Sequence, residues 1–187
     1  MLTPTKLVGK QNMDSNQGTY LKMNSPRYIS IEGGISAETV PEPLNLWTNY
    51  RGYNMLGLYY SNPAQYCFQF QTVVLQTLAK TQKDIKTSFV IRERSLDSSI
   101  NVFAKSALNK GHLSDSEFQI LSGLKELMCE EFKLKTYRII YLKTDPENEV
   151  SLEYLQELHS LHEEWLSKEP NVITVDLKKC GSLISIR

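Results

Sequence analysis

The chain has 187 residues with 21 basic and 21 acidic side chains, so its formal charge is zero, and 41% of it is hydrophobic. That balance fits one ordinary soluble domain able to bury a sizeable core, and with no basic cluster or long apolar run it argues against a nucleic-acid or membrane surface as main partner. Cys67, Cys129 and Cys180 are isolated and odd in number, which suggests neither a disulfide framework nor a zinc site and fits a reducing compartment.

Residues 1–27 are polar and lack apolar periodicity, with Lys6, Lys10, Lys22 and Arg27 against a single Asp14. They read as a flexible arm, either the disordered start of a cytosolic or nuclear protein or a weak mitochondrial presequence. The domain is expected over 28–187. Tyr28 to Ile31 reads as the first core strand, ending at Glu32-Gly33-Gly34. Glu42 stands between Pro41 and Pro43, which fix the backbone around it; taken alone, it reads as an exposed loop residue.

Helices are expected over 46–60, 64–80 and 97–109, carrying Trp47, Tyr60, Phe70, Gln71 and Phe103. Aromatic faces can stack on a flat heterocycle, and an amide such as Gln71 both donates and accepts; the same aromatics also suit a core. Between those helices, Phe89, Val90 and Ile91 suit a buried strand. It would deliver Glu93 and Arg94 at its carboxyl end, where open α/β sheets bind ligands.

Ser114-Asp115-Ser116-Glu117 is a capping box opening a helix over 114–134 whose apolar face is Leu121, Leu124 and Met128 with Ile120 and Leu127. Tyr137 to Leu142 is the next strand. A helix follows from Ser151 to Lys168, with Leu155, Leu158, Leu161, Trp165 and Leu166 inward, then a strand from Val172 to Leu177 and no clear final helix. His159 and His162 beside Glu163 lack the HExxH order and any further ligand cluster, so they read as packing or surface residues.

Several of these pieces stand in a recognisable order: Tyr28-Ile29-Ser30-Ile31-Glu32-Gly33, Val40-Pro41-Glu42-Pro43-Leu44-Asn45-Leu46-Trp47, Tyr59-Tyr60, Phe70-Gln71, Glu93-Arg94-Ser95, and the run from Leu152 to Leu166. Together they resemble the deoxynucleoside kinase family, over about Tyr28 to Val175. The resemblance implies an α/β fold of the P-loop-kinase type, a parallel sheet flanked by helices. It implies ATP- and Mg²⁺-dependent phosphorylation of a deoxynucleoside 5′-hydroxyl in nucleotide salvage, in a cytoplasmic or mitochondrial homodimer with contacts on helices 97–109 and 114–134. By position, Glu42 would be the general base, Arg94 would sit beside the 5′-hydroxyl and Glu93 near Mg²⁺. Gln71 would hydrogen-bond the base, Phe103 stack on it, Trp47 line the wall beside Phe70, and Tyr60 contact the sugar 3′-hydroxyl. Leu78 and Ser99 stand where the cytidine and guanosine branches carry an Arg and an Asp, which implies a roomier pocket of thymidine or multisubstrate type. Ile100 replaces a usual Arg, and Arg92 a usual apolar residue.

Two blocks that the resemblance calls for are missing. The family's phosphate loop, G-x-x-x-x-G-K-[ST], wraps phosphate oxygens with backbone N–H groups, neutralises them with its Lys and holds Mg²⁺ with its hydroxyl. Here Gly33-Gly34-Ile35-Ser36-Ala37-Glu38 runs straight into Thr39-Val40, and no lysine lies between Arg27 and Lys80. An extended link of six or seven residues, at ~3.3 Å each, just spans from the first strand to the second without the usual helix. The lid of phosphate-binding arginines is missing too: Pro146 is followed by Glu147-Asn148-Glu149-Val150, and no arginine occurs between Arg138 and Arg187. One strong donor to a transition state is worth a factor of ~10²–10³. The expectation is therefore a chain that keeps part of the nucleoside side and is weakly active or inactive as a kinase; the alternatives are a non-catalytic scaffold or pseudokinase, or a shortened isoform of an active kinase.

Overall fold

A computed structural model describes residues 38–83, 90–134, 136, 138–143, 151–176 and 185–186. The expected arm over 1–27, the first strand from Tyr28 to Ile31, the glycine segment before Glu38 and the stretch from Thr144 to Val150 lie outside the described residues, as do Phe89, Tyr137 and Leu177.

The first element is the short strand β1 (Glu38–Val40). Pro41 and Pro43 end it, and helix α1 (Leu44–Thr48) follows at once. A single helix over 46–60 was expected; the chain instead forms α1 and α2 (Met55–Ser61), separated by a tight turn. Tyr50 and Tyr53 exchange backbone hydrogen bonds across it, and its two central residues, Arg51 and Gly52, both have positive φ. Gly52 takes that conformation without strain. Asn54 then caps α2 by accepting from the Gly57 N–H.

Helix α3 (Pro63–Lys83) is the centre of the molecule. Cys67, Phe70, Gln71, Val73, Val74, Leu75, Thr77, Leu78 and Ala79 are all buried on it, more of its circumference than a one-sided surface helix would cover. The other elements of its core are Trp47 of α1, Leu56 of α2, and Leu96, Ile100, Ala104, Ala107, Leu113 and Leu121 from further along the chain.

Strand β2 (Val90–Arg92) pairs in parallel with β1, Val40 opposite Arg92. Ser95 caps the helical stretch that follows: one turn of α4 (Leu96–Ser98), a π-helical segment (Ser99–Ala104), then α5 (Lys105–Asn109). Gly111, at positive φ, ends α5, with the His112 N–H returning to the Ala107 carbonyl. The capping box at Ser114 and Glu117 opens α6 (Asp115–Glu131). Of the apolar face expected on α6, Leu121 is buried and Leu124 and Met128 pack against the core, but Ile120 and Leu127 point outward, 52% and 61% exposed.

Strand β3 (Ile139–Lys143) pairs in parallel with β4 (Val172–Asp176), and β4 pairs antiparallel with β5 (Ser185–Ile186), which was not expected. Among the described residues the strands thus form two small sheets, a parallel pair and a mixed three-stranded one. Helix α7 (Leu152–Leu166) is capped by Ser151 and packs on the π-helical segment and α5, with Leu161 and Leu166 buried and Trp165 half-buried. His159 and His162 of α7 are packing residues: the Tyr141 hydroxyl meets His159 Nδ1 at 2.8 Å, and the His162 ring stacks on Tyr141 at 5.2 Å.

Candidate active site

The register of β1 and β2 builds the site. With Val40 opposite Arg92, the residues two further on, Glu42 and Arg94, leave the parallel pair side by side at its carboxyl edge. The ladder continues through the Glu93 N–H donating to the Val40 carbonyl, and the Glu42 N–H donates to Glu93 Oε2 at 3.3 Å. Arg94 Nη1 lies 3.2 Å from Glu42 Oε1, in an ion pair whose side chains are 9% and 23% exposed.

Around this pair stand aromatics from α1, α2, α3 and the π-helical segment. The Arg94 guanidinium sits 3.7 Å over the Phe103 ring and 5.5 Å from that of Trp47. Trp47 meets Phe70 edge-on at 5.8 Å, and its indole N–H donates to Thr77 Oγ1 at 2.8 Å. Phe70 stacks on Tyr59 at 5.0 Å, and Tyr59 touches Tyr60 at 5.5 Å. Tyr60 itself stands at the rim, 67% exposed. Gln71 is buried beside Phe70. Its Oε1 and the Nη2 of Arg94 are both shielded from solvent and lack a hydrogen-bond partner among the described residues.

Burial raises the Glu42 carboxyl above the usual carboxylate range; Arg94 opposes that shift and Glu93 adds to it. Burial likewise lowers Arg94, against the pull of Glu42. Two tyrosines that sequence reasoning left without a role belong to the same surroundings. Burial pushes Tyr59 well above the usual phenol range and Tyr154 of α7 up to about 12, and Arg94 acts on both. Both tyrosines lay within the quoted motifs, yet no spacing rule carries a helix from the far end of the chain to a strand edge.

Of the residues picked from sequence, Glu42, Glu93, Arg94, Trp47, Phe70 and Phe103 are joined by direct contacts, Tyr60 reaches Phe70 through Tyr59, and Gln71 is buried next to Phe70 in the sequence of α3. Arg94 covers one face of the Phe103 ring. Ile100 is a core residue, and Arg92 turns toward α3, its Nη1 3.4 Å from Thr81 Oγ1. A polar cavity of about 150 Å³ lies elsewhere, lined by Asp97, Thr136, Arg138, Ile139, Trp165, Glu169 and Asn171.

For Mg²⁺ the described residues offer Glu93, and they contain no group of three or more His, Cys, Asp or Glu side chains placed to hold a metal. One carboxylate suits a magnesium ion otherwise held by substrate phosphates and water. A triphosphate fits less well. Arg94 is engaged by Glu42 and by Ser99 and has only Nη2 unpartnered among the described residues, and the sequence has no lysine between Arg27 and Lys80 and no arginine between Arg138 and Arg187.

Parallel strands flanked by helices, with a carboxylate and an arginine at the strand ends, make an α/β protein, and the family match that follows gives it the P-loop-kinase type. The family model described as deoxynucleoside kinase matches residues 29–185, and the chain belongs to that family. A probable deoxycytidine kinase of fowlpox virus (strain NVSL) is 33% identical over 177 aligned positions, covering 78% of this chain and 74% of that protein. Mitochondrial thymidine kinase 2 of Homo sapiens is 30% identical over 153 positions, covering 74% of this chain and 58% of that protein. The chain therefore spans less than two thirds of that human relative's length. Deoxycytidine kinase of Homo sapiens is 29% identical over 216 positions, covering 89% of this chain and 83% of that protein.

Proposed function

We propose that this chain binds a deoxynucleoside, with thymidine or deoxycytidine foremost, and has weak or no kinase activity by itself. The observation that carries the reading is two shielded, unpartnered polar atoms, Arg94 Nη2 beside Trp47 and Phe103, and Oε1 of Gln71, the residue that follows Phe70 on α3. Buried polar groups without partners are costly, so such atoms argue for a ligand that supplies them. A nucleobase edge would pair with the Gln71 amide, which both donates and accepts, while its faces meet the aromatics. A sugar hydroxyl would accept from Arg94, next to the Glu42 carboxylate whose raised pKa suits a group that takes a proton.

Activity is limited by what surrounds that pair. ATP and Mg²⁺, used by the family, would supply the transferring phosphoryl group, but the chain's own residues give it little positive charge. The alignment with human deoxycytidine kinase runs over 216 positions, more than the 187 residues of the entire chain. Blocks of that relative therefore have no counterpart here, which favours the second reading, a shortened form of a working kinase. A homodimer through α6 is part of the proposal, supported by the outward Ile120 and Leu127; the compartment is the cytoplasm or the mitochondrion.

The test is to incubate the purified chain with Mg·ATP and a panel of deoxynucleosides beside a full-length relative. A thymidine- or deoxycytidine-dependent rise in melting temperature with at most a trace of monophosphate is expected. Robust product would overturn the inactivity, and no nucleoside shift at all would overturn the binding site.

A further inference from the structure

We propose that Ser99 is a positioning residue that fixes the guanidinium of Arg94 against Glu42. The sequence gives Ser99 the look of a vacancy, a small side chain that leaves room. The structure gives its hydroxyl two hydrogen bonds. Ser99 is fully buried at the start of the π-helical segment, and its Oγ donates to the Ser95 carbonyl at 3.0 Å. That bond uses the hydroxyl proton and turns a lone pair outward, and Arg94 Nε donates to it at 3.2 Å.

A planar guanidinium is fixed when its plane and two of its edges are held. Phe103 sets the plane, with its ring centroid 3.7 Å from Cζ. Glu42 holds the Nη1 edge at 3.2 Å, and Ser99 holds the Nε edge. Ser99 and Phe103 are four residues apart on the same helical turn, so one segment supplies both contacts. Nη2 lies between those two edges, and it is the one nitrogen of Arg94 without a partner among the described residues. Without the Ser99 oxygen, Arg94 keeps its plane and its ion pair but pivots about them, and Nη2 loses its aim. Ser99 touches no reacting atom in this account; it acts through Arg94.

This inference deepens the nucleoside-binding reading and rests on it only for its effect on affinity. The full chain and the variants Ser99→Ala, Arg94→Lys and the double variant serve as the test, since lysine keeps the charge but has no Nε donor. In ligand-free protein, the Arg94 Nε–H proton should give a solvent-protected NMR resonance that Ser99→Ala abolishes. Thymidine affinity, by calorimetry, should fall about tenfold in Ser99→Ala, the scale of a lost charge-assisted hydrogen bond. In the Arg94→Lys background the same substitution should change affinity less than twofold. If Ser99→Ala does not fold, Ser99→Cys, of nearly equal volume and a poorer acceptor, takes its place. An Nε–H resonance unchanged by the Ser99 substitution, or an equal affinity loss with and without Arg94, overturns the proposal. Loss of the protected resonance with no thymidine binding in any variant supports the positioning role and sinks the nucleoside reading instead.

Discussion

At the scale of single residues, the site depends on a buried ion pair whose members burden each other unequally. Burial outweighs Arg94 in its effect on Glu42, so ionised Glu42 is held at a cost, while Arg94 depends on Glu42 as its counter-charge. Replacing Glu42 by Gln keeps the shape and an acceptor but strips that counter-charge from a side chain only 9% exposed. The relief at position 42 offsets part of the loss, and a net destabilisation of about 1–2 kcal/mol is expected at neutral pH, smaller than for breaking a fully buried pair. Urea unfolding checks this; no change or a gain would mean that Arg94 finds another partner. Glu42 and Arg94 were each legible as motif positions, but their pairing was not, because it depends on the register of β1 against β2. The hydroxyls that bond to Arg94 and Trp47, those of Ser99 and Thr77, were not legible as partners, since each bond joins side chains whose meeting is set by helix packing.

At the scale of elements, helices 64–80, 97–109 and 114–134 and the strands β3 and β4 were placed to within a few residues, whereas β5 was not expected. The misses have local causes. Helix 46–60 is broken by a turn with two positive-φ residues, Arg51 and Gly52, and an arginine in that conformation gives no sequence signal. Ile120 and Leu127 fit the helical period as well as their buried neighbours, so periodicity alone could not say which side of α6 the core takes. The contact of α7 with β3 carries a pH dependence that tests how these elements are held. The His162 ring is stacked on Tyr141, its Nδ1 2.8 Å from the Leu158 carbonyl, and Trp165, His159 and Glu163 lie nearby on α7. Burial lowers its pKa in the folded chain, with the Leu158 carbonyl opposing. Between that lowered value and the ordinary histidine value the unfolded chain binds the extra proton. Stability is therefore fully present above the ordinary value and is lost as the pH falls through this window. A His162→Gln variant should give a flatter stability curve over the same range in urea unfolding; an equal slope in both proteins would assign the dependence to another group.

At the scale of the whole molecule, the outward side of α6 carries an exposed apolar stripe. Ile120 and Leu127 are seven residues apart, two turns of helix, so they share one stripe, and each is more than half exposed. A two-fold axis would bring each stripe against its copy, so that two side chains per protomer count twice. Burying an aliphatic side chain completely contributes about 1.5–3 kcal/mol, and these begin partly buried. Four of them therefore contribute on the order of 3–6 kcal/mol, enough to shift a dimerisation constant by at least a hundredfold. A chain whose relatives have blocks it lacks has less core of its own, and a dimer contact would then carry a larger share of its stability. The melting temperature should accordingly rise with protein concentration. The double variant Ile120→Glu, Leu127→Glu should sediment as a monomer and melt at a temperature independent of concentration, because two carboxylates on a self-facing stripe add repulsion to lost burial. Since both side chains already face solvent in the protomer, the substitution leaves the core around α3 untouched, and the nucleoside binding proposed at Gln71 and Arg94 should be the same with and without it. A variant that remains dimeric would move the contact to another face, and one that loses the fold would show that α6 is already covered within the chain.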